Sequence, residues 1–427
     1  MTHRLLLVGA LCSGSLLALS AAATHQSESA GDRLLRADGV TAAIEAIRGN
    51  EAKVIEEQIR LCEIPAPPFN EATRAAAYRA AFEARGLKHV RIDAAGNVIG
   101  ERPGRAARPN VVVSAHLDTV FPEGTDVRTR REGPIVRGPG IADDCRGLAV
   151  LLGVLHALDA ASVRTAGTIT FVGTVGEEGL GNLRGVKELF DRELKGTVDS
   201  FISVDGAGLG ITYSAVGSRR YRVTVKGPGG HSYGDFGVAN PIHAIGRAIA
   251  EVADFAVQSS PKTTFNVGRV GGGTSVNSIA FEAWMEVDLR SEDESALAAL
   301  DARLLNAVAA AAAQENQRWG NRGRVSAEAT LVGDRPARRI SQDAPIVRTA
   351  ISVTRALGLD GPLSAGSTDA NYPMSLGIPA VTLDGGGTGA QSHSLGETFD
   401  TTDSWKGTAR TMLMVLALAE SGSPVVR

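Results

Sequence analysis

Residues 110–120 read NVVVSAHLDTV, a β-branched apolar run that ends abruptly in a histidine and an aspartate. Valines in succession, without polar alternation, are the pattern of a strand buried on both faces, as in a parallel sheet covered by helices. Three more runs have the same texture: TITFVGT at 168–174, SFISV at 200–204 and AVTL at 380–383. Each is bounded by Gly, Pro, Asn or Asp, and helical stretches at 147–161 and 186–194 lie between them. The expected fold class is therefore α/β. In such sheets ligands gather beyond the carboxyl ends of the strands, which is the edge that receives His116 and Asp118.

Outward from this core, residues 35–61 and 71–86 show helical spacing of apolar residues, with the proline-rich turn EIPAPPFN between them. From 213 to 329 the pattern changes. Alternating runs such as RYRVTVKG and AFEAWMEVDLR combine with helical stretches at 240–255 and 296–317, which predicts an inserted α+β domain with an antiparallel sheet. The alanine-rich run AVAAAAAQEN belongs to the second of these, because alanine is the strongest helix former. Residues 345–357 and 378–383 return to the α/β texture. The catalytic domain is thus expected to be discontinuous, 24–212 and 330–427, around an insert at 213–329.

Hydrophobic residues make up 43% of the 427 residues and charged residues 21%, within the soluble globular range. The formal net charge is −3, so no basic field is available to hold nucleic acid or an anionic membrane, and a small molecule or peptide is the expected partner. The first residues, MTHRLLLVGALCSGSLLALSAAATHQ, have the layout of a cleavable signal peptide, placed at 1–23, and predict export to the periplasm or medium. Their apolar run is broken by Cys12, Ser13, Gly14 and Ser15 and falls short of the roughly 20 apolar residues that span a bilayer. Bulky Leu11 argues against lipid attachment at Cys12. Beyond the leader only Cys62 and Cys145 remain, so neither a disulfide framework nor a thiolate metal cluster is expected. Any metal must be held by imidazole and carboxylate.

Five short blocks carry residues of those kinds. In SAHLDTV, residues two apart in an extended segment point the same way, which lets Asp118 approach the His116 imidazole and fix its tautomer. Alone, H-x-D is a weak motif. In GPGIADDCRG, Asp143 and Asp144 follow a tight loop and open a helix; one can bridge two cations while the other caps. In TVGEEG, two adjacent carboxylates at the end of a buried strand repel each other unless a cation or proton compensates. Glu178 as a ligand and Glu177 as general base is one division of labour; a solvated acidic turn is the other reading. Asp205 in SVDG and His393 in QSHSLGE each follow another apolar run. Together they are five oxygen and nitrogen donors of the types that zinc accepts.

In their order and content these blocks resemble the M20 metallopeptidase family, which includes glutamate carboxypeptidases, aminoacylases, acetylornithine and succinyl-diaminopimelate deacylases, carnosinases and tripeptide aminopeptidases. The resemblance runs through nearly the whole chain after the leader. It implies a mixed-sheet zinc-peptidase domain with an inserted lid domain, and two zinc ions per subunit, with cobalt or manganese as alternatives. Asp143 would bridge, with His116 and Asp205 on one metal and Glu178 and His393 on the other. Glu177 would be the base, Asp118 the partner of His116, and the Asp143–Asp144 peptide would be cis. KGPGGHSYG at 226–234 resembles the start of the lid, whose histidine, here His231, helps to stabilise the oxyanion and in dimeric relatives crosses to the partner's site; a homodimer through the lid is the matching expectation. Asn277 in GGGTSVNSIA and Arg290 in EVDLRS match positions that bind a substrate carboxylate or the oxyanion, although Arg290 also reads as a strand-end surface charge. Gly366 in AGSTDAN matches a loop whose backbone approaches the substrate. Many relatives carry lysine after the Asp–Asp pair, where this chain has Cys145 and Arg146. The implied activity is hydrolysis of amide bonds in small peptides with a free carboxylate, nearest the peptidase T-like members. N-acyl amino acid deacylation is the alternative. A non-catalytic binding protein would require lost ligands or base, and none is missing.

Overall fold

A computed structural model of the chain describes residues 29–420, so the leader at 1–23 lies outside the described residues. The four apolar runs are adjacent and parallel. Asn110–His116 lies between Thr168–Thr174 and Ser200–Val204, and Ala380–Leu383 pairs the far side of Ser200–Val204. Antiparallel neighbours flank them: Val98–Arg102 on one side and Ile211–Ala215 on the other, giving a nine-stranded mixed sheet. Every residue of Asn110–His116 is buried, which accounts for the unbroken valines. The helix Cys145–Ala160, apolar almost all round, packs between this strand and the long helix Val40–Cys62. Leu148, Val150, Leu151 and Val154 enter the same core as Val111, Val113 and Ile202.

The insert has its own core. Its sheet runs in the order Thr263–Gly272, Glu282–Ser291, Gly217–Lys226, Ser326–Arg335, all antiparallel. Along Glu282–Ser291, Ala283, Met285, Val287 and Leu289 are buried while Trp284, Glu286, Asp288 and Arg290 stay half-exposed, the period of two that one covered face demands. The helices Pro241–Ala253 and Glu294–Arg318 supply the cover. By length and composition Glu294–Arg318 would suffice to cross a membrane, but Leu297, Leu300, Leu304 and Val308 pack into this domain's core. The boundary expected at 329 lies inside the last strand, which stays paired to Gly217–Lys226 as far as Arg335 opposite Ser218. Strand pairing, which composition does not reveal, sets the true end of this sheet.

A third, small sheet pairs Ile135–Arg137 with Thr398–Asp400. That pairing draws the loop after residue 137, with Asp143, against the loop before residue 398, with His393. Cys62 and Cys145, expected to form no framework, are joined in a bridge between the end of helix Val40–Cys62 and the start of helix Cys145–Ala160. At a sequence separation of 83, no local spacing advertises the pair.

Candidate active site

All four parallel strands end at one edge. His116 is the last residue of its strand, and Asp205 follows Val204 in the next. Since Ser114 faces Ser203, two more residues of that register set Asp205 level with His116. Glu177 and Glu178 follow the strand ending at Thr174, and the loop after Leu383 leads to His393. Asp143 reaches the same point from the loop before helix Cys145–Ala160. Gly140 makes that loop's turn at φ 78°, and a Cβ there would come within 2.6 Å of Thr119.

The five expected ligands converge on two overlapping groups, His116–Asp143–Asp205 and Asp143–Glu178–His393, with donor atoms within 4.8 Å of one another in each. Asp143 belongs to both. Its Oδ1 lies 3.0 Å from His116 Nε2 and its Oδ2 lies 3.1 Å from His393 Nε2. His393 Nε2 also lies 3.1 Å from Glu178 Oε1, and His116 Nε2 is 3.8 Å from Asp205 Oδ1. One carboxylate oxygen therefore faces each histidine, the arrangement a bridging ligand needs.

The surroundings fix these groups. Asp144 caps its helix by accepting from the Gly147 N–H, and its other oxygen accepts from the His116 N–H at 2.9 Å. The Asp143–Asp144 peptide is cis. Asp118 plays a different part from the one read in the sequence. His116 Nδ1 meets the Asp118 main-chain carbonyl at 2.9 Å, while the carboxylate, its Oδ1 3.8 Å from the same nitrogen, accepts the N–H groups of Glu177 and Glu178 at 3.0 and 2.8 Å. Two buried backbone donors in the turn offer it a better match than one imidazole already served by a carbonyl.

Charge in the cluster is unbalanced. Asp118, Asp143, Asp144, Glu177, Glu178 and Asp205 crowd one edge, and the guanidiniums of Arg335 and Arg74 supply only part of the compensation. Burial pulls the His116 imidazole down, but hydrogen bonds to Asp143 and Asp205 outweigh it and hold the ring well above its ordinary value. Hydrogen bonds to Asp143 and Glu178 push His393 up to about 10. Burial raises Asp143, and its bonds to the two histidines more than reverse that. Burial, with Glu178 alongside, lifts Glu177 well above the usual carboxylate range, against the pull of Arg335. An all-oxygen-and-nitrogen donor set suits divalent cations such as zinc, manganese or cobalt.

The substrate candidates sit elsewhere. His231 is exposed on the insert; its Nδ1 accepts the N–H groups of Tyr233 and Gly234. Its strand pairs with Ser278–Ile279, which brings Asn277 beside it, where the Ser232 N–H donates to the Asn277 carbonyl. Arg290 is half-exposed and tethered through Nε to Asp288 at 2.7 Å. Gly366 ends a strand at the margin of the large sheet, accepting the Val216 N–H. The structure thus gathers the ligands and Glu177 at one centre, and places His231 and Asn277 together at another.

The profile of peptidase family M20/M25/M40 matches residues 112–417. The chain belongs to that family. Among M20 relatives, the uncharacterized protein YqjE of Bacillus subtilis (strain 168) is 27% identical over 353 residues, 78% of this chain and 90% of its own. Carboxypeptidase G2 of Pseudomonas sp. (strain RS-16) is 29% identical over 205 residues, 45% of this chain and 47% of its own. The fold is shared with aminopeptidase PepT of Bacillus cereus ATCC 10987, at TM-score 0.69 and 23% identity over 87% of this chain and 99% of that one. It is also shared with the Bacillus subtilis YXEP protein, described as a dinuclear metal binding peptidase from the M20 family, at TM-score 0.63 and 18% identity over 87% of this chain and 99% of that one.

Two residues of this M20 hydrolase escaped the sequence reading. Arg335, buried at the end of the insert's last strand, donates to Glu177 Oε1 at 2.9 Å and to the Glu177 carbonyl, and reaches Ser367 Oγ at 3.2 Å. A single arginine 158 residues from its partner carries no spacing signal. Glu397 is buried and accepts the N–H groups of Gly140, Ala142 and Asp143. It stands four residues after His393 in HSLGE, a block quoted for its histidine alone.

Proposed function

We propose that this M20 hydrolase cleaves amide bonds of small peptides bearing a free carboxylate, using two zinc ions. The observation that carries this reading is the pair of ligand groups sharing Asp143, one oxygen toward each histidine. His116 and Asp205 would hold one ion, Glu178 and His393 the other, and Asp143 both. Bound there, the ions would acidify a water molecule and polarise the scissile carbonyl.

The chain's own residues supply the rest. Glu177, buried next to Glu178 and gripped by Arg335, takes the proton of the attacking water and returns it to the leaving nitrogen. Its raised proton affinity favours the first of these transfers, uptake of the proton from water. His231 and Asn277 are polar donors of the kind that stabilise a developing oxyanion. Arg290 is held by Nε alone, which leaves its two terminal nitrogens to take a carboxylate in forked geometry. For these groups to serve, the insert must present them to the metal edge, from its own chain or from a second copy. We include a homodimer through the insert in the proposal: Thr263–Gly272 is an edge strand of its sheet, and exposed Tyr233, Phe236, Val276 and Phe281 cluster in sequence around His231 and Asn277. Export is likewise proposed, supported by the leader-like first residues and by a disulfide, which persists in oxidising compartments.

A second reading, N-acyl amino acid deacylation, is favoured by curated matches to succinyl-diaminopimelate desuccinylases, one 31% identical over 227 residues, 49% of this chain and 58% of its own. Digesting di- and tripeptides alongside N-acetyl and N-succinyl amino acids, with products read by mass spectrometry, separates the two. Turnover of free peptides supports the first reading; turnover of acyl amino acids alone overturns it.

A further inference from the structure

Asp143 is shared by both ligand groups, and metal–oxygen bonds near 2.0–2.2 Å tolerate little displacement, so whatever fixes its loop bears on both ions at once. The loop has two visible anchors. On one side Glu397 accepts three consecutive-region N–H groups, from Gly140, Ala142 and Asp143. On the other, the last turn of helix Val40–Cys62 grips it: Gln58 Nε2 donates to the Ile141 carbonyl at 2.7 Å, and one turn later the Cys62 sulfur lies 3.4 Å from the Pro139 carbonyl oxygen. Cys62 is then bonded to Cys145, two residues after Asp143, with Cα atoms 5.4 Å apart. The Cys145 N–H closes the circuit by donating to the Gly140 carbonyl at 3.2 Å. Both cysteines are fully buried, enclosed by Ile55, Val136, Ile141, Ala142 and Phe399.

We propose that the Cys62–Cys145 bridge is a positioning element of the metal centre, which holds the Asp143 loop so that the oxidised chain binds its metal ions more tightly than the dithiol chain. The inference rests on the dinuclear reading above. The bridge forms by thiol–disulfide exchange: the two thiols give up two protons and two electrons, one S–S bond forms here, and the S–S bond of a disulfide-carrying oxidant is reduced to a dithiol. Once formed it is sealed from solvent. Exchange of the Asp143 loop away from the helix then requires the apolar cluster to open as well.

The test is zinc affinity, measured by competition with a chromogenic chelator, for the bridged chain, for Cys62→Ser/Cys145→Ser, and for wild-type chain recovered in the dithiol form from a reducing cytoplasm. The last keeps the comparison intact if the double variant does not fold. We expect zinc to be held about 10- to 100-fold more weakly without the bridge, the effect typical of losing a group that orients a ligand. Equal affinity with and without the bridge overturns the proposal. So does a lowered unfolding midpoint of the metal-free chain with unchanged zinc affinity, which would make the bridge a stabiliser of the fold only. A bridged chain that binds no zinc would instead overturn the dinuclear reading itself.

Discussion

The metal edge of the large sheet and the exposed end of the insert hold their candidate residues with different degrees of fixation. At the sheet edge, strand register alone brings His116 level with Asp205, and buried bonds from Asp144, Asp118 and Glu397 fix the turns around them. At the insert, His231 and Asn277 sit on two short segments that bond to each other, with His231 Nδ1 accepting from its own loop, and Arg290 bonds a carboxylate two residues away. The difference teaches that the fold itself builds the candidate metal edge, whereas under the proposed function the groups that meet substrate would be delivered by where the insert stands. Arg335 joins the two regions: from the last position of the insert's sheet its side chain closes on Glu177.

Substitutions can break this contrast. The largest effect belongs to Glu177→Gln, expected to cut kcat by about 10²- to 10⁴-fold while the chain keeps its metal, as measured by turnover and elemental analysis of one preparation. Next is Arg335→Met, which strips a buried carboxylate of its partner; we expect about 3 to 5 kcal/mol less stability in urea unfolding, far more than for an exposed pair. His231→Ala, on the exposed side, should lower kcat by about 10²- to 10³-fold with no change in metal content or unfolding midpoint. A fall in metal content there would erase the distinction between the two regions. The smallest effect is that of Arg290→Met, expected to raise KM about 10- to 100-fold for substrates with a free carboxylate, as loss of one charged hydrogen-bonding partner allows, and to leave amidated substrates unaffected.

The metal edge was the more legible region, and for a physical reason. Strands buried on both faces must be continuous apolar runs, so their ends stand out, and His116, Glu178 and Asp205 each follow such an end. Asp143 announced itself through the Gly-Pro-Gly turn that precedes it. What escaped were relations between distant residues. Arg335 finds Glu177, Glu397 finds the Asp143 loop, and Cys62 finds Cys145, each across 83 residues or more, where no periodicity operates. The exchanged role of Asp118 was hidden differently: spacing put the right residue beside His116 but could not say whether its carboxylate or its carbonyl would face the ring. Strand pairing, which composition does not reveal, carries the insert's last strand past residue 329 to Arg335.

The central claim is a two-metal centre hinged on Asp143, and counting bound ions tests it most directly. Chain stripped of metal, incubated with zinc, passed through a desalting column and analysed by inductively coupled plasma mass spectrometry should carry two ions in the wild type and fewer than one in Asp143→Ala. One ion or none in the wild type, or two retained by Asp143→Ala, would contradict the account.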